Sequence, residues 1–280
     1  MTPSPSTIAA RRRAFRELHA SGCFVIPNPW DVGSARYLES LGFKALATTS
    51  SGFAWTQAQA DGAMSRDAVI AHLREIVAAT GLPVNADFES GYGADPQAVA
   101  ESVRMAVATG VAGLSIEDST GDPEQPIHDP AMAVARLRAA RGAIDANGGD
   151  TLLVGRAENF LHGRADLADT IARLRAYSDA GADCLYAPGI RTRDDIAAVV
   201  AAVAPKPVNL LVGSVSDLTL NDIAALGVRR VSVGGGLARA AWGGFMRAAK
   251  AIAERGVFDG FAQAASGAEL NALFRHPTVD

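Results

Sequence analysis

Short apolar runs alternate with longer, alanine-rich amphipathic segments along almost the whole chain, and this alternation limits the folds open to it. An apolar run of about four to eight residues bounded by turn residues reads as a buried strand. Apolar recurrence near 3.6 residues reads as a helix. Strands are expected at Cys23–Pro27, Phe43–Thr48, Pro83–Glu89, Ala112–Glu117, Leu152–Arg156, Asp183–Ala187, Pro207–Val212 and Val228–Val233. The segments between them carry helix starts. Asp31 and Ser65 stand where a side-chain cap is needed, and Asp95-Pro96 and Asp129-Pro130 put proline at a first helical position. Further helices are expected over Asp166–Ala180, Thr192–Ala204, Thr219–Leu226 and Leu237–Arg255, with more helical segments in Phe258–Phe274. Eight strand–helix units close most simply as a (β/α)8 barrel, an α/β fold of usual length ~250 residues. A doubly wound open sheet would carry a glycine fingerprint after its first strand, and strand one here ends in Asn28-Pro29-Trp30-Asp31. No linker or repeat beyond the βα unit interrupts the chain. Residues 1–280 are therefore read as one barrel domain, with 256–280 as a C-terminal helical extension.

Charge and composition narrow the partners. With 280 residues, a net charge of −4 and a pI near 5.8, the chain has no electrostatic footprint for nucleic acid or an anionic membrane. Arg11-Arg12-Arg13 lies in a helical pattern, AARRRAFRELHASG, and reads as a solvated helix face. No apolar run approaches the ~20 residues that span a bilayer, and MTPSPSTIAA lacks the charged-then-apolar order of a secretory signal. Cys23 and Cys184 lie in apolar runs without metal-ligand spacing and read as reduced core residues, as does Met105 for its packing. The cytoplasm is the expected location.

Active sites of such barrels lie where the strands end, so the strand ends hold the candidates. In VNADFESGYG, Asp87 and Glu89 occupy alternate strand positions and would share one face. Two adjacent carboxylates repel and lose hydration, which calls for a cation between them. Magnesium suits an all-oxygen site that keeps waters and substrate, with manganese as the alternative ion. Zinc fits poorly without a His or Cys cluster. Glu117, ending the next strand, would complete the metal set; otherwise Glu89 is a solvated turn residue and Asp87 a cap. Arg156 reads equally as a two-pronged grip on a substrate carboxylate or as a structural ion pair with Glu117, Glu158 or Asp87. Thr49-Ser50-Ser51-Gly52 reads as a strand-exit loop whose N–H groups cradle a carboxylate, or as a simple turn. Trp30, Tyr186 and Asn209 complete the rim. Gly234–Gly236 is either a phosphate cup or close packing of the last barrel helix. Tyr92, His128 and Glu158 are the candidate acid or base groups, with His128 on an irregular loop.

The segments PNPWDVGSARYLESLGFKAL, VNADFESGYG, GVAGLSIEDS and LLVGRAENF resemble the isocitrate lyase/phosphoenolpyruvate mutase superfamily over nearly the whole chain. The resemblance implies a (β/α)8 barrel that binds Mg²⁺ and a small 2-oxo acid or its enolate. It implies that Asp87, Glu89 and Glu117 are metal-site acids, although the second is more often Asp. It implies that Arg156 and Thr49-Ser50-Ser51 hold the substrate carboxylate, and that the chain forms a homotetramer, or a dimer, exchanging C-terminal helices. The departures bear on the reaction. The lyases carry a Lys-Lys-Cys-Gly-His type loop after the IED strand; here it is STGDPEQPIHDP, without the cysteine or lysines. A glutamate expected after the proline of strand six is replaced, since Pro188 precedes Gly189. The gating loop of phosphonopyruvate enzymes is missing too. The resemblance then implies a Mg²⁺-dependent lyase acting on a C–C bond of a small 2-oxo or 2-hydroxy carboxylate through an enolate, not an ordinary isocitrate or methylisocitrate lyase. C–P bond chemistry on a phosphonopyruvate, as mutase or hydrolase, and non-catalytic binding of a 2-oxo acid are the alternatives.

Overall fold

The structure, a computed structural model, describes residues 3–275. After helix α1 (Pro5–Ala20) the chain runs β1 (Phe24–Ile26), α2 (Val32–Ser40), β2 (Leu46–Ala47), α3 (Ser50–Thr56), α4 (Arg66–Ala79), β3 (Val84–Asp87), α5 (Pro96–Ala108), β4 (Gly113–Glu117) and α6 (Pro130–Asp145). It continues through β5 (Leu152–Arg156), α7 (Leu167–Asp179), β6 (Cys184–Tyr186), α8 (Arg193–Val203), β7 (Val208–Leu211), α9 (Leu220–Ala225), β8 (Arg230–Ser232) and α10 (Gly236–Arg255). A 3₁₀ turn, Asp259–Gln263, and α11 (Gly267–Arg275) follow. Residues 276–280 of the expected C-terminal extension lie outside the described residues.

All eight strands pair in parallel, in the order β1-β8-β7-β6-β5-β4-β3-β2. This is the expected (β/α)8 barrel. Between β1 and β2 the seam is closed more lightly, by Ala47 N–H donating to the Pro27 carbonyl at 3.0 Å. Asn28 finishes it at the rim. Its Nδ2 donates to the Thr48 carbonyl at 2.8 Å, and its Oδ1 accepts from Val233 N–H at 2.9 Å and Gly234 N–H at 2.8 Å. The helices start where the sequence places their caps. Asp31, Ser65, Asp95, Asp129, Asp166, Thr192 and Thr219 each accept a backbone N–H with the side chain, satisfying a donor that the first helical turn leaves free. The main core lies between strands and helices, with Ile70, Leu73, Ile76, Leu114, Ile116, Ile144 and Leu153 fully buried.

Three local expectations are corrected. The arginine run of α1 is no solvated face throughout. Arg12 is buried, donating to the carbonyls of Val111 (3.0 Å) and Val107 (2.9 Å) and pairing with Asp150 at 3.0 Å. Arg11 donates to the Val77 carbonyl at 2.9 Å. With Phe15 buried against Ala112 and Leu152, α1 caps the end of the barrel where the strands begin. Second, β3 stops at Asp87. Glu89 (φ 44°) and Tyr92 (φ 50°) enter the left-handed region, so Glu89 does not share a strand face with Asp87 by alternation. Third, Thr49–Gly52 is not an open exit loop: Thr49 caps α3, which begins at Ser50.

Candidate active site

The end of the barrel where the strands finish holds a cleft of about 130 Å³, enough for roughly four water volumes. Asp87, Ser115, Arg156, Tyr186, Arg230 and Ser232 line it from the strands, Thr49, Ser50 and Ser51 from the start of α3, and Asp61 from the loop before α4. Gly234 and Gly235, at the exit of β8, line it as well. A Cβ on Gly235 would lie 2.7 Å from Ser51 Oγ and 3.2 Å from the Trp55 ring, so this glycine lets α3 close on the β8 exit.

Strand register explains the meeting of side chains. Glu117 pairs with Arg156 and Arg156 with Tyr186 across β4, β5 and β6. Arg156 Nη1 lies 3.2 Å from Asp87 Oδ1 and 3.2 Å from Glu117 Oε2, and its Nε donates to Glu158 Oε1 at 2.5 Å. Its guanidinium stands 5.1 Å over the Tyr186 ring. The ion-pair reading of Arg156 is seen here, and the guanidinium also lines the cleft. Among the described residues Nη2 has no recorded acceptor. Burial works against its charge, but Glu117, Glu158 and Asp87 outweigh burial and hold its pKa well above the ordinary value.

Asp87 is fixed from three sides: its N–H donates to Thr48 Oγ1 at 2.9 Å, and its carboxylate accepts Ser50 N–H at 3.0 Å as well as Arg156. The cradle expected at Thr49–Gly52 is thus partly filled from within, because Gly52 N–H also goes to Thr49 Oγ1 at 3.3 Å. Glu89 accepts the Tyr92 hydroxyl at 2.6 Å. Burial, reinforced by the nearby charges of Asp87 and Asp61, pushes the Glu89 carboxyl up to about 7. Burial pushes Glu117 up as well, against the pull of Arg156. Burial also raises Asp61, opposed by a hydrogen bond from Ser50 and aided by Asp87.

Other expected residues lie one step back from the cleft. Tyr92 donates to Glu89 and packs edge-on to Phe88, and burial drives its pKa upward. Glu158 is buried against Arg156, its N–H held by Asp118 Oδ1 at 2.8 Å. Asn209 is buried in the barrel, donating to Ser232 Oγ at 2.9 Å and accepting from Arg230 Nε at 2.8 Å. Trp30 backs α3: a Cβ on Gly52 would lie 2.9 Å from Trp30 Cβ. The groups whose charge reaches the His128 ring are Arg136, Asp118 and Asp129, not the rim acids, and burial lowers its pKa. Asp61, Asn85, Ser115, Arg230 and Ser232 join the cleft without having been singled out. For the last four the signal was present, a polar side chain inside an apolar strand; Asp61 gave none.

Among the described residues, no three His, Cys, Asp or Glu side chains converge to cage an ion directly. The charge balance nevertheless favours a cation. Asp61, Asp87, Glu89, Glu117 and Glu158 all pair with or act on the Arg156 guanidinium, and an all-oxygen donor set is the kind magnesium takes, with waters between ion and carboxylate.

A parallel eight-stranded barrel with a polar, acid-rich cleft where its strands end is the frame of an enzyme. The chain belongs to the phosphoenolpyruvate phosphomutase family, which it matches over residues 15–253. A solved protein of Burkholderia cenocepacia J2315, provisionally assigned as a lyase/mutase, is 51% identical, with a TM-score of 0.94 over 97% of this chain and 99% of that one. Oxaloacetate acetylhydrolase, solved with its product oxalate, superposes with a TM-score of 0.84 at 27% identity, over 97% of this chain and 95% of that one. Among curated relatives, the oxaloacetate decarboxylase of Bradyrhizobium sp. (strain BTAi1 / ATCC BAA-1182) is 30% identical over 235 residues, 81% of this chain and 78% of that one.

Proposed function

We propose that this chain cleaves a C–C bond in a small 2-oxo carboxylate of the oxaloacetate class with the help of a divalent cation, Mg²⁺ or Mn²⁺. The observation that carries the reading is the pairing of a cleft of about 130 Å³ with carboxylates in excess of the rim guanidinium. The two named relatives, which act on oxaloacetate by their names, support the substrate class. Asp87, Glu89 and Glu117 would hold the ion, directly or through water. Bound there, such an ion supplies positive charge against which a substrate enolate forms as the bond to C3 breaks. The chain's own residues do the rest. Arg156 offers Nη2 to a substrate carboxylate while its other nitrogens are fixed by Asp87, Glu117 and Glu158. The hydroxyls of Ser50, Ser51 and Ser232 provide neutral donors along the walls. Tyr186, whose hydroxyl burial pushes up to about 12, stays a proton donor at neutral pH.

The C-terminal extension is proposed to pack on a second copy. Trp242, Phe245 and Met246 on α10, with Phe258, Phe261, Leu270 and Phe274, leave apolar surface exposed. No helix among the described residues is long and apolar enough to cross a membrane.

The test is product analysis by NMR with oxaloacetate and Mg²⁺, comparing wild type with Asp87→Ala, because oxaloacetate also breaks down without an enzyme. Wild-type turnover within the ordinary ~1–10³ s⁻¹, lost in Asp87→Ala, is expected. Release of pyruvate or phosphate from phosphonopyruvate instead would move the reading to C–P chemistry. Tight Mg²⁺–oxalate binding without any product would make the chain a binding protein.

A further inference from the structure

Arg230 differs from the other buried arginines. Arg12 pairs with Asp150, Arg156 with three carboxylates, and Arg173 with Asp118 and Asp169. Arg136 lacks an acid but meets the carbonyls of Ser90, Gly93 and Ala94. Arg230 is 2% exposed and forms no ion pair among the described residues. Its Nε donates to Asn209 Oδ1 at 2.8 Å, and its Nη1 to Asn85 Oδ1 at 3.3 Å. Nη1 also lies 3.5 Å from Nε2 of His19, a ring that burial and the Arg230 charge keep neutral, with a pKa near 3. Cys184 and Tyr186 are the remaining ionisable groups that bear on it, and burial raises the pKa of each, which keeps both neutral. The side chains that meet Arg230 or act on it, Asn209, Asn85, His19, Cys184 and Tyr186, are therefore uncharged. Guanidinium does not give up its proton in proteins, so a full positive charge sits in the barrel without a counter-charge. A buried charge without a partner is costly. Arg230 nonetheless lines the cleft, beside Ser115 and Ser232, and Nη2 has no recorded acceptor among the described residues.

We propose that Arg230 is the counter-charge for a carboxylate of the ligand, seated at the floor of the cleft between Arg230, Ser115 and Ser232. The site lies below the Arg156 rim, one inward-facing layer down the strands: on β8, Arg230 and Ser232 both face inward while Val231 packs in the core between strands and helices. A dianionic substrate would then be held at two levels, by Arg156 at the rim and by Arg230 at the floor. The assignment rests on the reading that this cleft takes a small carboxylate, but not on metal or turnover.

The experiment is therefore run in EDTA with oxalate as probe, by thermal melts and calorimetry, with sodium chloride at equal ionic strength as the inorganic arm. Wild type is expected to bind oxalate and to melt higher with it than with chloride. Arg230→Met removes the charge and keeps the volume. It is expected to melt as high as ligand-free wild type or higher, because an unpaired charge is gone, and to bind oxalate at least tenfold more weakly. Arg230→Lys keeps the charge and is expected to retain a measurable oxalate shift. Unchanged oxalate affinity in Arg230→Met overturns the proposal. So does failure of that variant to fold, which would make the arginine structural. Equal stabilisation by chloride would make the site one for inorganic anions and overturn the carboxylate assignment. Wild type that ignores oxalate in EDTA but binds it with Mg²⁺ would sink the floor site and leave the metal-dependent reading standing.

Discussion

The Arg156 guanidinium is shared among Asp87, Glu117 and Glu158, which leaves one edge for a ligand. Lysine in its place keeps the charge but not the planar fork that reaches several acceptors at once. Arg156→Lys is expected to weaken Mg²⁺-dependent oxalate binding roughly ten- to a hundredfold, the loss of one charge-assisted hydrogen bond of ~1.5–3 kcal/mol. It is also expected to lower the melting temperature, because three acids lose their fixed partner. Calorimetry alongside melts separates the two effects: a lower melting point with wild-type oxalate affinity would leave Arg156 a purely structural ion pair. At this scale the sequence was legible where a charged residue ended a strand, as with Asp87, Glu117 and Arg156. It was less legible where alternation places a polar side chain inside the barrel. Asn209 read as a rim residue and instead lies beneath the cleft, holding Arg230 and Ser232.

Among elements, α3 shows how local chemistry outruns a loop reading. Thr-Ser-Ser-Gly looks like an exit turn, yet the Thr49 hydroxyl accepts Gly52 N–H and starts a helix whose first N–H, on Ser50, fastens Asp87. The sequence does contain the cap. What it does not show is that Gly52, against Trp30, and Gly235, against Ser51, leave room for a helix to lie against the rim. The turn after Asp87 was hidden for a related reason. Tyr92 draws Glu89 out of the strand, and Arg136, distant in sequence, binds the carbonyls of Ser90 and Gly93. Thr49→Ala should cost about 1 kcal/mol of stability, the usual value of such a cap, and weaken oxalate binding by loosening the Ser50–Asp87 contact. Thr49→Ser should restore both in urea unfolding and calorimetry. A serine variant as impaired as the alanine one would assign the effect to the lost methyl packing instead of the cap.

Over the whole molecule the barrel was legible because its signals repeat: each unit announces a cap, an amphipathic helix and an apolar strand. The balance of buried charge was not, since it depends on which inward-facing layers meet. That balance shapes the response to acid. Burial holds His19 near 3, with help from the Arg230 charge, and His72 near 4, both below the ordinary 6.5. Each ring is neutral in the fold and takes a proton on unfolding between pH 6.5 and its folded value. Their contribution is therefore complete above pH 6.5 and declines as pH falls toward 4 and 3. Glu89, raised to about 7, acts oppositely: its folded form holds a proton that the unfolded chain releases above the ordinary 4.5, so its term weakens as pH rises from there to 7. The total curve mixes these signs, and a difference between variants isolates one group. His72 suits the purpose because it is not among the residues lining the cleft and stacks on Phe53 at 3.9 Å, with its Nε2 unpartnered and buried. His72→Phe keeps the stacked ring and cannot titrate. Measured by urea unfolding, its stability relative to wild type should rise by roughly 1–2 kcal/mol between pH 7.5 and pH 5, the size expected for a folded pKa near 4. A gap that stays constant over that range would mean that His72 takes up its proton in the fold as readily as in the unfolded chain, and that its burial against Phe53 does not depress its pKa.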